Sequence, residues 1–155
     1  MDQANIEFVK DVIDRAADLT LATIRPDGYP QATTVSFAHD GLALYVGIGK
    51  DSQKARNIRA NNKVSLTINL PYVDWSEIKG LSMSAHAEIV EDDKDLAAAK
   101  ACLLRRFPQA AAWADQGIAS QVLFLKIKPQ VISILDYSKG FGHTELLTAA
   151  PTDLA

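Results

Sequence analysis

The sequence predicts a mainly β fold, six antiparallel strands closing into a barrel with helices at its flanks. Three observations carry this prediction. Apolar and hydroxyl residues alternate in short segments such as Leu19-Thr20-Leu21-Ala22-Thr23-Ile24 and Val64-Ser65-Leu66-Thr67-Ile68-Asn69, which is the period of a half-buried strand. Tight-turn sequences, Pro26-Asp27-Gly28 and Asp40-Gly41, join the first of these segments and so make neighbours antiparallel. Helical spacing is confined to separate stretches. Antiparallel strands in this number tend to close up and remove their exposed edges.

The elements follow in order. Ile6, Val9, Val12, Ile13 and Ala16 recur at helical spacing, with Glu7, Lys10, Asp11 and Asp14 on the other face. They predict an amphipathic helix within residues 1–18, capped by Asp2 or Asn5. Strands are expected at 19–24, 31–37 and 42–47. Gly47-Ile48-Gly49 breaks the alternation, and Asp51 or Ser52 caps a short helix that Asn61-Asn62 ends. Residues 64–69 and 81–90 read as the fourth and fifth strands, around a loop with Pro71, Tyr72, Trp75 and Gly80. A second main helix covers 92–107, capped by Asp93 and stopped by Pro108, with a short helical piece at 110–117. Residues 122–127 form the sixth strand, which 131–135 extends or repeats beyond Pro129. The tail, 136–155, begins rich in glycine and aromatics and is expected to fray from residue 148. Residues 1–155 are read as a single domain.

Composition narrows the function. A net charge of −3 argues against general nucleic-acid or anionic-membrane binding. The single cysteine, Cys102, excludes an intrachain disulfide and a cysteine zinc site, and its apolar helical setting reads as a small buried hydrophobe. The first residues lack a signal peptide's basic start and apolar run, and no apolar stretch is long enough for a membrane helix, so a cytoplasmic protein is expected. Gly-x-Ser-x-Gly, Walker-type and His-Glu-x-x-His sequences do not occur. His39 reads as a turn residue and His86 as facing outward or into a cleft. The three histidines lack acidic partners at metal-ligand spacing. Trp75 and Trp113 are read as packing residues.

Chemistry concentrates in Gly47-Ile48-Gly49-Lys50-Asp51-Ser52-Gln53-Lys54-Ala55-Arg56-Asn57. A helix start presents free N–H groups and the positive end of the helix dipole. The glycines let a ligand approach, Ser52 offers a hydroxyl, and Lys50, Lys54 and Arg56 offer cations; Asp51 works against an anion unless it points away. The combination reads either as a phosphate cradle or as an ordinary capped helix start.

The runs Leu21-Ala22-Thr23-Ile24, Asp27-Gly28-Tyr29-Pro30, Thr34-Val35-Ser36-Phe37, Leu44-Tyr45-Val46, Ser52-Gln53-Lys54-Ala55-Arg56-Asn57-Ile58 and Asn61-Asn62-Lys63-Val64-Ser65-Leu66 together resemble the pyridoxamine 5'-phosphate oxidase-like FMN-binding split-barrel family. The match covers about residues 19–70. The resemblance implies a six-stranded split barrel, a homodimer, and FMN held in the cleft between subunits. It implies that Thr33, Thr34, Val35 and Ser36 lie along the flavin and that Ser52, Gln53 and Lys54 meet its phosphate. Gln53 stands where the oxidases carry arginine, and residues 31–37 hold no cation; Lys50 is the candidate replacement. The expected activity is therefore a flavin-dependent oxidoreductase acting on an unidentified small molecule, with no catalytic side chain assigned. Gly140-Phe141-Gly142, followed by His143, resembles the tail of haem-binding relatives; Lys139 and His143 are candidates there for an anion contact or a metal ligand. The alternatives are a haem- or deazaflavin (F420)-binding relative, or a non-enzymatic flavin-binding dimer.

Overall fold

Alternation along the chain resolves into one curled antiparallel sheet. The computed structural model describes residues 1–154. In it, helix α1 (Gln3–Arg15) precedes strands β1 (Asp18–Ile24), β2 (Pro30–Ser36), β3 (Ala38–Asp40) and β4 (Ala43–Gly49). Helix α2 (Gln53–Ala60) leads to β5 (Lys63–Asn69) and β6 (Lys79–Ile89). Helices α3 (Asp93–Arg106) and α4 (Ala110–Asp115) precede β7 (Val122–Asp136) and β8 (Thr144–Thr148). The strand order is β2-β1-β5-β6-β7-β4-β3, with β8 also on β7.

The described residues form eight strands where six were expected. The three-residue β3 lies in what reads as a turn, and β8 lies in the tail. Of the two readings of residues 131–135, the structure takes extension: Val122–Asp136 is one long strand. Its first half pairs with β4 and its second half with β8, while β6 pairs with it from Leu125 to Asp136. Pro129 sits in the middle without an N–H to give. The ladder accommodates it with a bulge: Ser84 pairs with Val131 and Ala85 with Pro129, so Gln130 is the extra residue.

Inward side chains such as Leu21, Leu44, Leu66, Met83, Ile127 and Ile132 fill the barrel, and α1 covers it with Val9, Val12 and Ile13. Asp2 caps α1 by accepting from the Asn5 N–H. Arg106 ties α3 to the end of α1: its guanidinium donates to the carbonyls of Ile13, Asp14 and Ala16 and lies 4.7 Å over the Phe37 ring. Burial lowers the pKa of this guanidinium, while the nearby Asp14 carboxylate raises it. Asp92, rather than Asp93, caps α3. Cys102 is buried on α3 against Ala38 and Tyr45, as its setting predicted.

Of residues 148–155, where fraying is expected, 148–154 are placed against the rest of the chain and residue 155 lies outside the described residues. Pro151–Leu154 form a 3-10 turn, Leu154 packs on the core, and the Met1 ammonium lies 3.5 Å from the Asp153 carboxylate. Among the described residues no helix is long and apolar enough to cross a membrane.

Register aligns Thr34, Thr20, Thr67, Ser82 and Ser133 in one row across five strands, and Ala32, Ala22, Ser65, Ser84 and Val131 in the next. Both rows are small or hydroxylated, and neither contains a charge.

Candidate functional site

The tip of α2 is built by local rules. Ser52 is the N-cap, with extended backbone, and its hydroxyl oxygen accepts from the Ala55 N–H at 3.2 Å. The Ser52 O–H is left free to donate. The N–H groups of Gln53 and Lys54 begin the helix and have no carbonyl a turn earlier within it. Lys54 is half-buried and Lys50 exposed. Residues 50–59 hold four cations, Lys50, Lys54, Arg56 and Arg59, against the one carboxylate of Asp51. The turn is braced from behind: Arg56 donates to the Asp51 carbonyl at 2.7 Å, Arg59 to the Lys50 carbonyl at 3.4 Å, and the Lys50 N–H to the Gln121 carbonyl at 2.8 Å. Donors and positive charge thus face outward from a fixed loop.

Gln53 does not present its amide to this opening. Its Nε2 donates to Asn57 Oδ1 at 2.8 Å, and its Oε1 accepts from Arg56 at 2.9 Å. Asn57 is fully buried, and its Nδ2 donates to Thr23 Oγ1 at 2.9 Å and to Gln31 Oε1 at 3.2 Å. This network, absent from any sequence reading of the site, joins α2 to β1 and β2. It also brings the two halves of the candidate site together, since Gln31 lies two residues before Thr33 on the same face of β2.

The four β2 candidates divide by that same alternation. Thr34 and Ser36 are exposed on the outer face; Thr33 and Val35 are half-buried on the inner one. Thr33 Oγ1 is buried and has no hydrogen-bond partner among the described residues. Across from the outward pair lies the outer face of β4, where Gly47 and Gly49 are exposed. Neither glycine has positive φ, so what each provides is room. A Cβ on Gly49 would sit 3.6 Å from Ser52 Cβ, and one on Gly47 would sit 3.3 Å from Val122 Cγ1. The two positions are about 7 Å apart along the strand. A flat glycine strip therefore leads from the α2 tip into a groove of 630 Å³ under α3 and α4, whose floor includes Thr34, Ser36 and Gly47.

The far wall of that groove departs from expectation. Trp113, read as a packing residue, is 60% exposed. Trp75 is exposed too, at the other end of the barrel, where its ring lies 6.0 Å from that of Phe141, with Tyr137 5.6 Å beyond. In the same tail, His143 Nε2 is 3.0 Å from Glu145 Oε1, which Lys139 also reaches at 3.0 Å. His143 and then Lys139 hold the Glu145 carboxyl below its ordinary 4.5. His39 is half-buried in β3, placed between Asp14 at 2.6 Å and the Gly41 carbonyl at 3.0 Å. Among the described residues no cluster of His, Cys, Asp and Glu is arranged to hold a metal.

Comparison with known proteins agrees with this architecture. A heme binding protein from Mycobacterium smegmatis superimposes with a TM-score of 0.80 at 22% identity, over 96% of this chain and 59% of its own. This chain thus spans about three fifths of that protein's length. HutZ, the heme storage protein from Vibrio cholerae, gives a TM-score of 0.67 at 20% identity over 90% of this chain and 91% of its own. General Stress Protein 26 from Bacillus anthracis gives 0.64 at 22% identity over 95% and 100%. At such identities these likenesses concern the fold. No curated protein matches the sequence. The pyridoxamine 5'-phosphate oxidase family profile matches residues 6–136, most of the chain and every strand from β1 to β7. The chain belongs to the pyridoxamine 5'-phosphate oxidase family.

Proposed function

We propose that the protein binds FMN in a cleft between two copies of the chain and uses it as an oxidoreductase on a small molecule. The observation that carries this reading is the α2 tip: free N–H groups, the Ser52 hydroxyl and the Lys50 and Lys54 ammonium groups, set beside a glycine strip with no side chain to block it. A phosphate needs the first set of groups, and a flat ring needs the second. Ser52 and Lys54 would hold the phosphate, with Lys50 adding charge. Gln53, engaged with Asn57 and Arg56, would act by fixing the helix rather than by contact. Thr34, Ser36 and Gly47 would border the ring, and Thr33, with its unpaired hydroxyl, and Val35 would support the strand from within. FMN, when bound, supplies one- and two-electron chemistry, and the protein orients it and selects what reaches it.

The seam between copies is read from the outer face. Two uncharged rows of small and hydroxylated side chains let a second sheet approach closely, and Leu146, 76% exposed, continues the first row beyond Ser133.

The experiment is a titration of the purified protein with FMN, a deazaflavin and haem, read by absorbance, with sedimentation for the oligomeric state. A yellow dimer that releases its flavin on denaturation is expected. Ser52→Ala combined with Lys54→Ala should weaken FMN binding by about tenfold or more, the scale of one or two charge-assisted contacts. Unchanged affinity, or a monomer that holds FMN equally well, overturns the assignment.

A second reading, haem binding, is favoured by one feature, the exposed Trp75–Phe141 pair beside His143. A planar macrocycle stacks on such rings, and His143 would have to leave Glu145 to ligate through Nε2. This reading requires a Soret band that His143→Ala diminishes; a spectrum unaffected by that change rejects it.

A further inference from the structure

We infer that the groove under α3 and α4 seats the substrate, and that this substrate is a flat, largely apolar molecule carrying a carboxylate. The inference rests on the flavin reading and goes past it by naming what the flavin acts on. Its first ground is continuity. The groove floor includes Thr34, Ser36 and Gly47, which the flavin ring is proposed to border, so a molecule in the groove lies against that ring. Its volume of 630 Å³ falls within the roughly 300–1,000 Å³ of small-molecule sites.

The second ground is the chemistry of the walls. Leu103, Leu104 and Phe107 come from α3 and its end, Trp113 from α4, and Phe124 from β7. The chain turns between the two helices at Pro108, where the Ala110 N–H donates to the Phe107 carbonyl. That corner holds Leu104 and Trp113 open at 41% and 60% exposure. Apolar surface left open and concave in this way marks a binding site. Three aromatic side chains on the lining suit a flat partner, by stacking or edge contact. The third ground is charge. Lys100 is the one charged side chain on the lining, and among the described residues it has no ion-pair partner. A single ammonium on a groove otherwise lined by uncharged, mostly apolar residues selects one carboxylate.

The test uses the full FMN-loaded chain carrying Trp75→Phe, which leaves Trp113 as its only tryptophan. It is titrated with naphthalene-2-carboxylate and with the neutral naphthalene-2-carboxamide. Trp113 fluorescence reports the groove, and visible absorbance reports the flavin. Saturable quenching by the carboxylate with FMN retained is expected. The carboxamide should bind about tenfold more weakly, the worth of one charge-assisted contact. Lys100→Gln, at an exposed position, should bring the carboxylate down to the carboxamide's level. Quenching that never saturates, equal binding of the two probes, or release of FMN by the carboxylate overturns the inference; the last result would mean that the groove seats the flavin itself. A protein that keeps FMN but ignores both probes sinks the groove alone. A protein that binds the carboxylate but never takes up FMN sinks the flavin reading and the substrate role with it.

Discussion

Asn57→Ala tests the physical link between the two halves of the site. Asn57 is fully buried and takes part in three hydrogen bonds, to Thr23, Gln31 and Gln53. Each is worth about 1 kcal/mol net, and alanine returns about 0.5 kcal/mol in helix propensity, so the substitution should cost about 2.5 kcal/mol. For a chain of this size that lowers the melting temperature by roughly 5–10 °C. The part lost at Thr23 cannot be recovered, because that residue is 1% exposed and its hydroxyl cannot turn to water; Gln31 and Gln53 are half-buried and can. A sharper expectation follows. Thr23→Val added to Asn57→Ala removes the stranded hydroxyl, so the double variant should be more stable than Asn57→Ala alone. Urea unfolding at constant m value measures both variants against wild type. An Asn57→Ala protein within 0.5 kcal/mol of wild type, on the scale of ordinary surface changes, or a double variant less stable than the single, would show that the network does not hold α2 to β1 and β2.

Two other expectations concern groups that the structure singles out. Thr33→Val removes a buried hydroxyl that has no partner among the described residues and keeps the side chain's shape, so it should leave stability unchanged or raise it by up to about 1 kcal/mol; a loss above about 1 kcal/mol in urea unfolding would reveal a partner for that oxygen. Glu145 has a folded pKa below its unfolded value, so its contribution is present above the unfolded pKa and disappears as pH falls through the folded one. The stability gap between wild type and Glu145→Gln should therefore narrow as acid is added below pH 4.5; a gap that stays constant down to the acid transition refutes the His143–Glu145–Lys139 arrangement.

Elements with strong local patterns were legible in the sequence. The inward set Leu19, Leu21 and Thr23 of β1 and the set Val64, Leu66 and Ile68 of β5 have the period-2 burial that their alternation predicts. The strands that were missed lack that signal. β3 is three residues long and ends on the Asp40 of a turn. β8, Thr-Glu-Leu-Leu-Thr, buries Glu145 and Leu147 partly and exposes Leu146, so its apolar pair falls on opposite faces and alternation is lost. The length of β7 was ambiguous because Pro129 normally ends a strand; what admits it is a bulge opposite Ala85, a property of the pairing and not of the segment.

The same division runs through the candidate site. A helix cap is decided within four residues, and Ser52 with its neighbours could be read directly as a donor-rich tip. The Asn57 network spans 34 residues to Thr23 and 26 to Gln31, and nothing local to any of them announces the others. Gly47 and Gly49 lie between these extremes. Glycine at such positions serves either a sharp turn or a close approach. The backbone decides between them: β4 runs through both residues without positive φ, and a Cβ at Gly47 would press on Val122. These glycines keep a surface open rather than bend the chain. That open strip joins the donor-rich tip at Ser52, visible in the sequence, to a groove that exists only after α3 has packed on β3, β4 and β7 and α4 on α3.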